Sequence, residues 1–98
     1  MEKEVVWSPQ ALLQLEKAYE YIFRSSVQNA ENVRKDILQS TRGIALHPEI
    51  YTLDKYRQNN DGSFRAYELH RYRISYQITT DKIIIVRFRH TKMQPKTY

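Results

Sequence analysis

The run Tyr72-Arg73-Ile74-Ser75-Tyr76-Gln77-Ile78-Thr79 places an apolar or aromatic residue at every even position and a polar one at every odd position. A period of two is that of a β-strand with one buried face. The chain must therefore build a sheet that is covered on one side and left partly open on the other. Arg71 and Arg73 share the parity of the open face. The following segment, Ile83 to His90, begins apolar on both sides and ends Val86-Arg87-Phe88-Arg89, so Arg87 and Arg89 form a second odd-numbered, outward pair. Odd residues can share one face of both strands only if the connection has an odd count or a bulge. A loop of Thr80-Asp81-Lys82 meets that condition. Ile74, Ile78, Ile84 and Val86 then form the buried set, and Arg73 lies opposite Arg87 or Arg89. Like charges opposed across strands cost on the order of 0.2–1 kcal/mol, a loss that a bound anion reverses.

The remaining elements supply the cover. Glu4-Val5-Val6-Trp7 reads as a first strand, ended by Ser8-Pro9, where Ser caps a helix and Pro occupies its first turn. Leu12, Leu15, Tyr19, Ile22 and Phe23 give that helix an apolar stripe. Arg24-Ser25-Ser26 breaks the pattern, and Ser25 with Gln28 matches a capping box for a second helix. Its buried stripe is Ala30, Val33, Ile37, Leu38, Thr41, Ile44 and Ala45, and Pro48 stops it. Two helices joined by a short polar turn pack as an antiparallel hairpin. Gln58-Asn59-Asn60-Asp61-Gly62-Ser63 is a turn signal, followed by strand candidates Phe64 to Leu69, Tyr72 to Thr79 and Ile83 to His90. The expected fold class is α+β: an N-terminal strand, a helical hairpin, then a three-stranded antiparallel meander with the helices on one sheet face.

At 98 residues the chain holds one domain, with residues 90–98 as a C-terminal tail. Its charge is uneven. Residues 64–98 carry eight Lys or Arg against two acids, while residues 1–63 carry eight against nine, so the formal +5 is a +6 segment joined to a nearly neutral one. Tyr67, Tyr72, Tyr76 and Tyr98 interleave with these basic residues. Such a mixture suits nucleic acid, where rings stack on bases and guanidinium groups grip phosphate, and suits an acidic protein equally well. The chain has no Cys, and His47, His70 and His90 are scattered, which argues against a metal site. Having only Gly43 and Gly62, it has no phosphate-cradling loop. No long apolar run or lipidation motif occurs, so a cytoplasmic protein without membrane partners or cofactors is expected.

The order Val-Val-Trp-Ser-Pro-Gln-Ala, Ala-Glu-Asn-Val, Arg-x-Tyr-x-Leu, Tyr72-Arg73-Ile74-Ser75-Tyr76 and Arg89-His90 resembles the RelE/ParE superfamily, from Val5 to about Pro95. These are the toxin halves of bacterial type II toxin–antitoxin pairs. The resemblance implies one fold with two activities: RelE-like members are ribosome-dependent messenger RNA endonucleases, and ParE-like members generally inhibit DNA gyrase. It also implies a small acidic antitoxin as partner, covering the helices and the concave sheet face in a toxin–antitoxin hetero-oligomer. Arg73 matches the arginine that the nucleases place near the scissile phosphate. The extended tail His90-Thr91-Lys92-Met93-Gln94-Pro95-Lys96-Thr97-Tyr98 resembles the ParE-like branch, which makes gyrase inhibition the leading expectation.

Metal-free RNA cleavage needs a base for the 2′-hydroxyl, charge stabilisation at phosphorus and an acid for the leaving oxygen. Glu49, Glu68 and His90 are the candidate bases, Tyr98 and His70 the candidate donors, and Arg73 and Arg89 the candidate cations. His90 follows the parity of the buried face, which also fits a strand-end histidine with no chemical role. For contact with a target or antitoxin the candidates are Arg65, Arg71, Arg73, Arg87, Arg89, His90 and Lys92, with the facing of Arg65 open. An outward Arg73 predicts that its removal spares the fold. A nonenzymatic nucleic-acid-binding module is the alternative from another class.

Overall fold

The computed structural model describes residues 2–98. The chain runs β1 (Glu4–Trp7), α1 (Pro9–Ser25), α2 (Val27–Leu46), β2 (Phe64–Leu69), β3 (Tyr72–Ile78) and β4 (Lys82–His90). The sheet order is β1-β4-β3-β2. The last three strands form the antiparallel meander, and β1 adds in parallel to the far side of β4, with Val5 beside Ile83 and Trp7 beside Ile85. None of the described helices is long and apolar enough to cross a membrane.

Ser8 caps α1 by accepting from the Ala11 amide at 3.1 Å, with Pro9 in the first turn. α1 lies on the core through Ala11, Leu15, Ala18 and Ile22, whereas Leu12 and Phe23 are exposed. The inward stripe is thus rotated from the expected one, with Ala11 and Ala18 on the core side in place of Leu12 and Phe23. α1 also runs one residue further than the polar cluster implied. The cap of α2 is consequently Ser26, which accepts from the Asn29 amide at 3.0 Å, in place of Ser25. The buried stripe of α2 is as expected except for Leu38, which is exposed.

The arginine parity is produced by a bulge rather than by an odd loop. Thr79 and Lys82 close a tight turn around Thr80-Asp81, the Thr79 amide donating to the Lys82 carbonyl at 2.9 Å. From there Ile78 pairs with Ile83 and Tyr76 with Ile85; one step on, Ser75 pairs with Arg87, leaving Val86 as the extra residue. An inserted residue flips every side chain beyond it. Odd-numbered Ile83 and Ile85 therefore lie in the core while odd-numbered Arg87 and Arg89 lie outside it. Ile84 and Val86, expected in the core, are only half-buried, and Ile83, Ile85 and Phe88 take their place. Each such fully buried side chain contributes roughly 1.5–3 kcal/mol.

Candidate functional site

Arg73 pairs with Arg89, Ser75 with Arg87 and Glu68 with Arg73, so these five residues share the sheet face turned away from the helices. That face is not bare. The segment after α2 pairs along the outer edge of β2, with Leu53 opposite Arg65, and brings Asp54, only 2% exposed, against Arg73. Asp54 is positioned by backbone pairing, its amide donating to the Phe64 carbonyl at 2.9 Å. Its carboxylate accepts from Arg73 Nη2 at 2.9 Å, from the Tyr98 hydroxyl at 2.6 Å and from the Tyr56 amide at 3.0 Å. Burial alone would raise the Asp54 pKa, but the hydrogen bonds from Tyr98, Arg73 and Tyr56 together outweigh it and hold the carboxyl below the usual carboxylate range. Burial pushes the Tyr98 hydroxyl upward, and donation to Asp54 pushes it further.

The Arg73 guanidinium also stacks on the Tyr56 ring, 4.8 Å from its centroid, and lies 3.6 Å from Glu68. Its side chain is only 19% exposed, which corrects the expectation that an outward Arg73 can be removed without loss to the fold. The Tyr98 end of the tail is held by the same cluster. Its amide donates to the Tyr56 carbonyl at 3.0 Å, its carbonyl accepts from Gln58 at 2.7 Å, and its ring meets the Phe64 edge. Arg87 lies over the Tyr98 ring at 4.3 Å and donates to the Lys96 carbonyl at 2.8 Å. Arg89 donates to the Gln94 carbonyl at 3.2 Å. Between tail and sheet is a cleft of about 60 Å³, lined by Arg73, Ser75, Arg87, Arg89, Glu68 and Pro95 among others. Among the described residues, Arg87 and Arg89 have no acidic partner. Burial, then repulsion from Arg89, lowers the Arg87 pKa.

Of the remaining sequence candidates, His90 also lines this cleft and the others fall elsewhere. Arg65 pairs with Tyr76 on the helix side of the sheet and donates to the Tyr51 carbonyl at 2.7 Å. Arg71 is not on the open strand face; with His70 it forms the two-residue β2–β3 turn, both at positive φ, 52° and 68°. That is the primed turn a tight hairpin needs, here built without Gly or Asn and held by Asp36 against His70 at 2.7 Å and by the Thr91 amide on the Arg71 carbonyl. Glu49 is exposed in the turn after α2 and does not line the cleft. His90 keeps the helix-face parity, its ring edge on Tyr72 at 5.0 Å, and its Nδ1 accepts from the exposed Lys92 amide at 3.0 Å. No group of three or more His, Cys, Asp or Glu among the described residues is placed to hold a metal ion.

Asp54, Tyr56 and Ser75 are site residues that the sequence candidates did not include. Ser75 carried the parity signal; Asp54 and Tyr56 sit in the irregular stretch before the turn, where periodicity gives no facing.

What the geometry defines is a small α+β protein with a cationic, tail-covered sheet face. The chain belongs to the family described as ParE toxin of type II toxin-antitoxin system, parDE, whose sequence pattern matches residues 5–95. Among solved structures it is similar to a chain of the chromosomal ParDE TA system from P. aeruginosa, with a TM-score of 0.72 and 14% identity over 93% of this chain and 98% of that one. It is also similar to the YoeB dimer from Staphylococcus aureus, with a TM-score of 0.59 and 20% identity over 92% of this chain and 98% of that one. No curated protein sequence matches. At these identities the structural likeness speaks for the fold, which agrees with the RelE/ParE-like architecture expected from the sequence.

Proposed function

We propose that this ParE-family chain acts by binding rather than by cutting: its arginine face engages an anionic surface of DNA gyrase, and a cognate acidic antitoxin neutralises it by covering the same face. The carrying observation is that, among the described residues, Arg87 and Arg89 present charge without acidic partners, while of the candidate acids and bases in their cleft Glu68 lies against Arg73 and His90 is engaged by its own turn. His90 Nδ1 is occupied by the Lys92 amide. The Tyr98 hydroxyl, the candidate donor, is committed to Asp54, and its raised pKa makes it a weaker acid. Glu49 lies outside the cleft. Nucleolytic phosphoryl transfer needs those groups converging on one phosphate; binding needs only the cations.

In this reading the chain works in the bacterial cytoplasm, and the toxin–antitoxin hetero-oligomer is its resting form. Expressed alone it should arrest growth, and coexpression of a neighbouring small acidic protein should relieve the arrest. The purified chain should reduce supercoiling by gyrase while leaving translated messages uncut in primer extension. Discrete cuts within codons on translating ribosomes, with gyrase unaffected, would replace this reading by the RelE-like nuclease. Salt-sensitive binding of the isolated chain to RNA or DNA, with neither effect, would favour the nucleic-acid-binding module.

A further inference from the structure

The tail crosses the arginine face in register. Arg87 and Arg89, two apart on β4, donate to the carbonyls of Lys96 and Gln94, also two apart and in reverse order. Alternate residues of extended chains recur about every 6.5–7 Å, so the tail lies antiparallel over β4 with its carbonyl spacing matched to the guanidinium spacing. The face is thus shaped to receive an extended polypeptide. Its present occupant is badly matched in charge. Lys96 brings one more cation to a surface already holding Arg73, Arg87 and Arg89, and besides the Tyr98 ring the tail supplies only the carbonyl dipoles of Gln94 and Lys96 in return.

Burial holds the tail weakly as well. Residues 91–97 are all exposed, Met93 included, and only Tyr98 is anchored, through Asp54, Tyr56, Gln58 and Phe64. A carboxylate gives an arginine a full opposite charge and a second, parallel acceptor oxygen, neither of which a neutral carbonyl offers. A segment offering carboxylates at every second residue would therefore gain at Arg87 and Arg89 what the tail cannot supply.

We infer that residues 92–98 are a built-in occupant of the arginine face, and that an extended acidic polypeptide binds there by displacing them. The inference rests on the reading of this face as the partner-binding surface and adds how access to it is controlled. The tail then sets the apparent affinity, because a competitor binds only the fraction of molecules whose face is open.

The test uses the whole chain and a short synthetic peptide with Glu at every second position. In the unmodified protein, the Tyr98 and Gln58 amides are tied through the closed tail and should exchange slowly with solvent. Saturation with the peptide should speed exchange at both, while amides of β3 stay protected. Tyr98→Phe, which removes only the donor to Asp54, should bind the peptide about tenfold tighter, since a hydrogen bond to a charged acceptor no longer holds the face closed. Peptide binding with both amides still protected would overturn the inference, as would no peptide binding, or an unchanged or weaker affinity for Tyr98→Phe. Failure here is separable from failure of the functional reading. A chain that inhibits gyrase with its tail in place loses only the displacement step, and one that releases its tail without touching gyrase loses only the target.

Discussion

Arg73 and the Arg87/Arg89 pair stand on one sheet face and on adjacent strands, yet they are held in opposite ways. Arg73 is sandwiched between a buried carboxylate and an aromatic ring. Arg87 and Arg89 touch only carbonyls of an exposed tail and, for Arg87, the Tyr98 ring. Sharing a face is therefore not sharing a role. The first arginine neutralises a buried acid and ties the 51–60 segment to the sheet; the other two keep their charge available. Periodicity reads facing but not pairing, which is why all three look alike in the sequence.

The comparison breaks most visibly at Asp54. Asp54→Ala removes three hydrogen bonds and strands a half-buried guanidinium, and should destabilise the fold by roughly 3 kcal/mol. Urea unfolding measures it; a loss below that of Arg89→Ala would end the distinction drawn here. Arg73→Ala should cost less, about 2 kcal/mol, because Tyr98 and the Tyr56 amide still serve the carboxylate. This expected loss replaces the sparing of the fold that an outward Arg73 implied.

Acid should separate the two regions next. Because the folded pKa of Asp54 lies below its unfolded value, its contribution is fully present above the unfolded carboxylate pKa of about 3.9 and is lost as pH falls through the depressed folded value. The stability gap between the unmodified chain and Asp54→Asn should narrow as pH is lowered through that range. The Arg87 and Arg89 contacts have no carboxylate partner and should be indifferent over the same interval. A gap that stays constant from neutrality to acid would remove Asp54 from its assigned role.

Most of this arrangement was legible where physics is local. Ser8-Pro9 opened α1 where expected, the Asn60-Asp61-Gly62 turn forms, with Asn60 accepting from the Gly62 amide at 2.9 Å, and alternation put Arg73, Arg87 and Arg89 on one face. Position-specific packing was less legible. Nothing in Ile83-Ile84-Ile85-Val86 distinguishes inward from outward side chains, because all four are apolar; the bulge at Val86, a feature of the pairing with β3, decides. Asp54 was illegible for a different reason. It is the partner of a residue 19 positions away, brought there by an irregular segment whose path follows from tertiary pairing at Phe64 and not from any repeat.

Arg87→Ala and Arg89→Ala sharpen the comparison from the other side. Arg89→Ala should alter stability by no more than about 0.5 kcal/mol, since what is lost is a bond to an exposed carbonyl, and Arg87→Ala by about 1 kcal/mol, since it also loses its stacking on Tyr98. Each should nevertheless weaken growth arrest on expression, with a larger deficit in the double variant. Full toxicity in the double variant would mean that the unpaired arginines are not the working ones.

The smallest effect should come from Glu68→Ala. Glu68 is the second acid beside Arg73, but its side chain is 58% exposed and its carboxylate lies 3.6 Å away. Exposed pairs of that kind contribute about 0–1 kcal/mol and are screened by salt. Glu68→Ala should therefore change unfolding by a few tenths of a kcal/mol at low salt and by less at high salt, roughly a tenth of the Asp54→Ala effect. Two acids on one guanidinium thus make an internal control, differing mainly in burial. If Glu68→Ala matched Asp54→Ala, burial of the carboxylate would not be what fixes Arg73, and the division between an anchored arginine and two available ones would have to rest on position in the sheet alone.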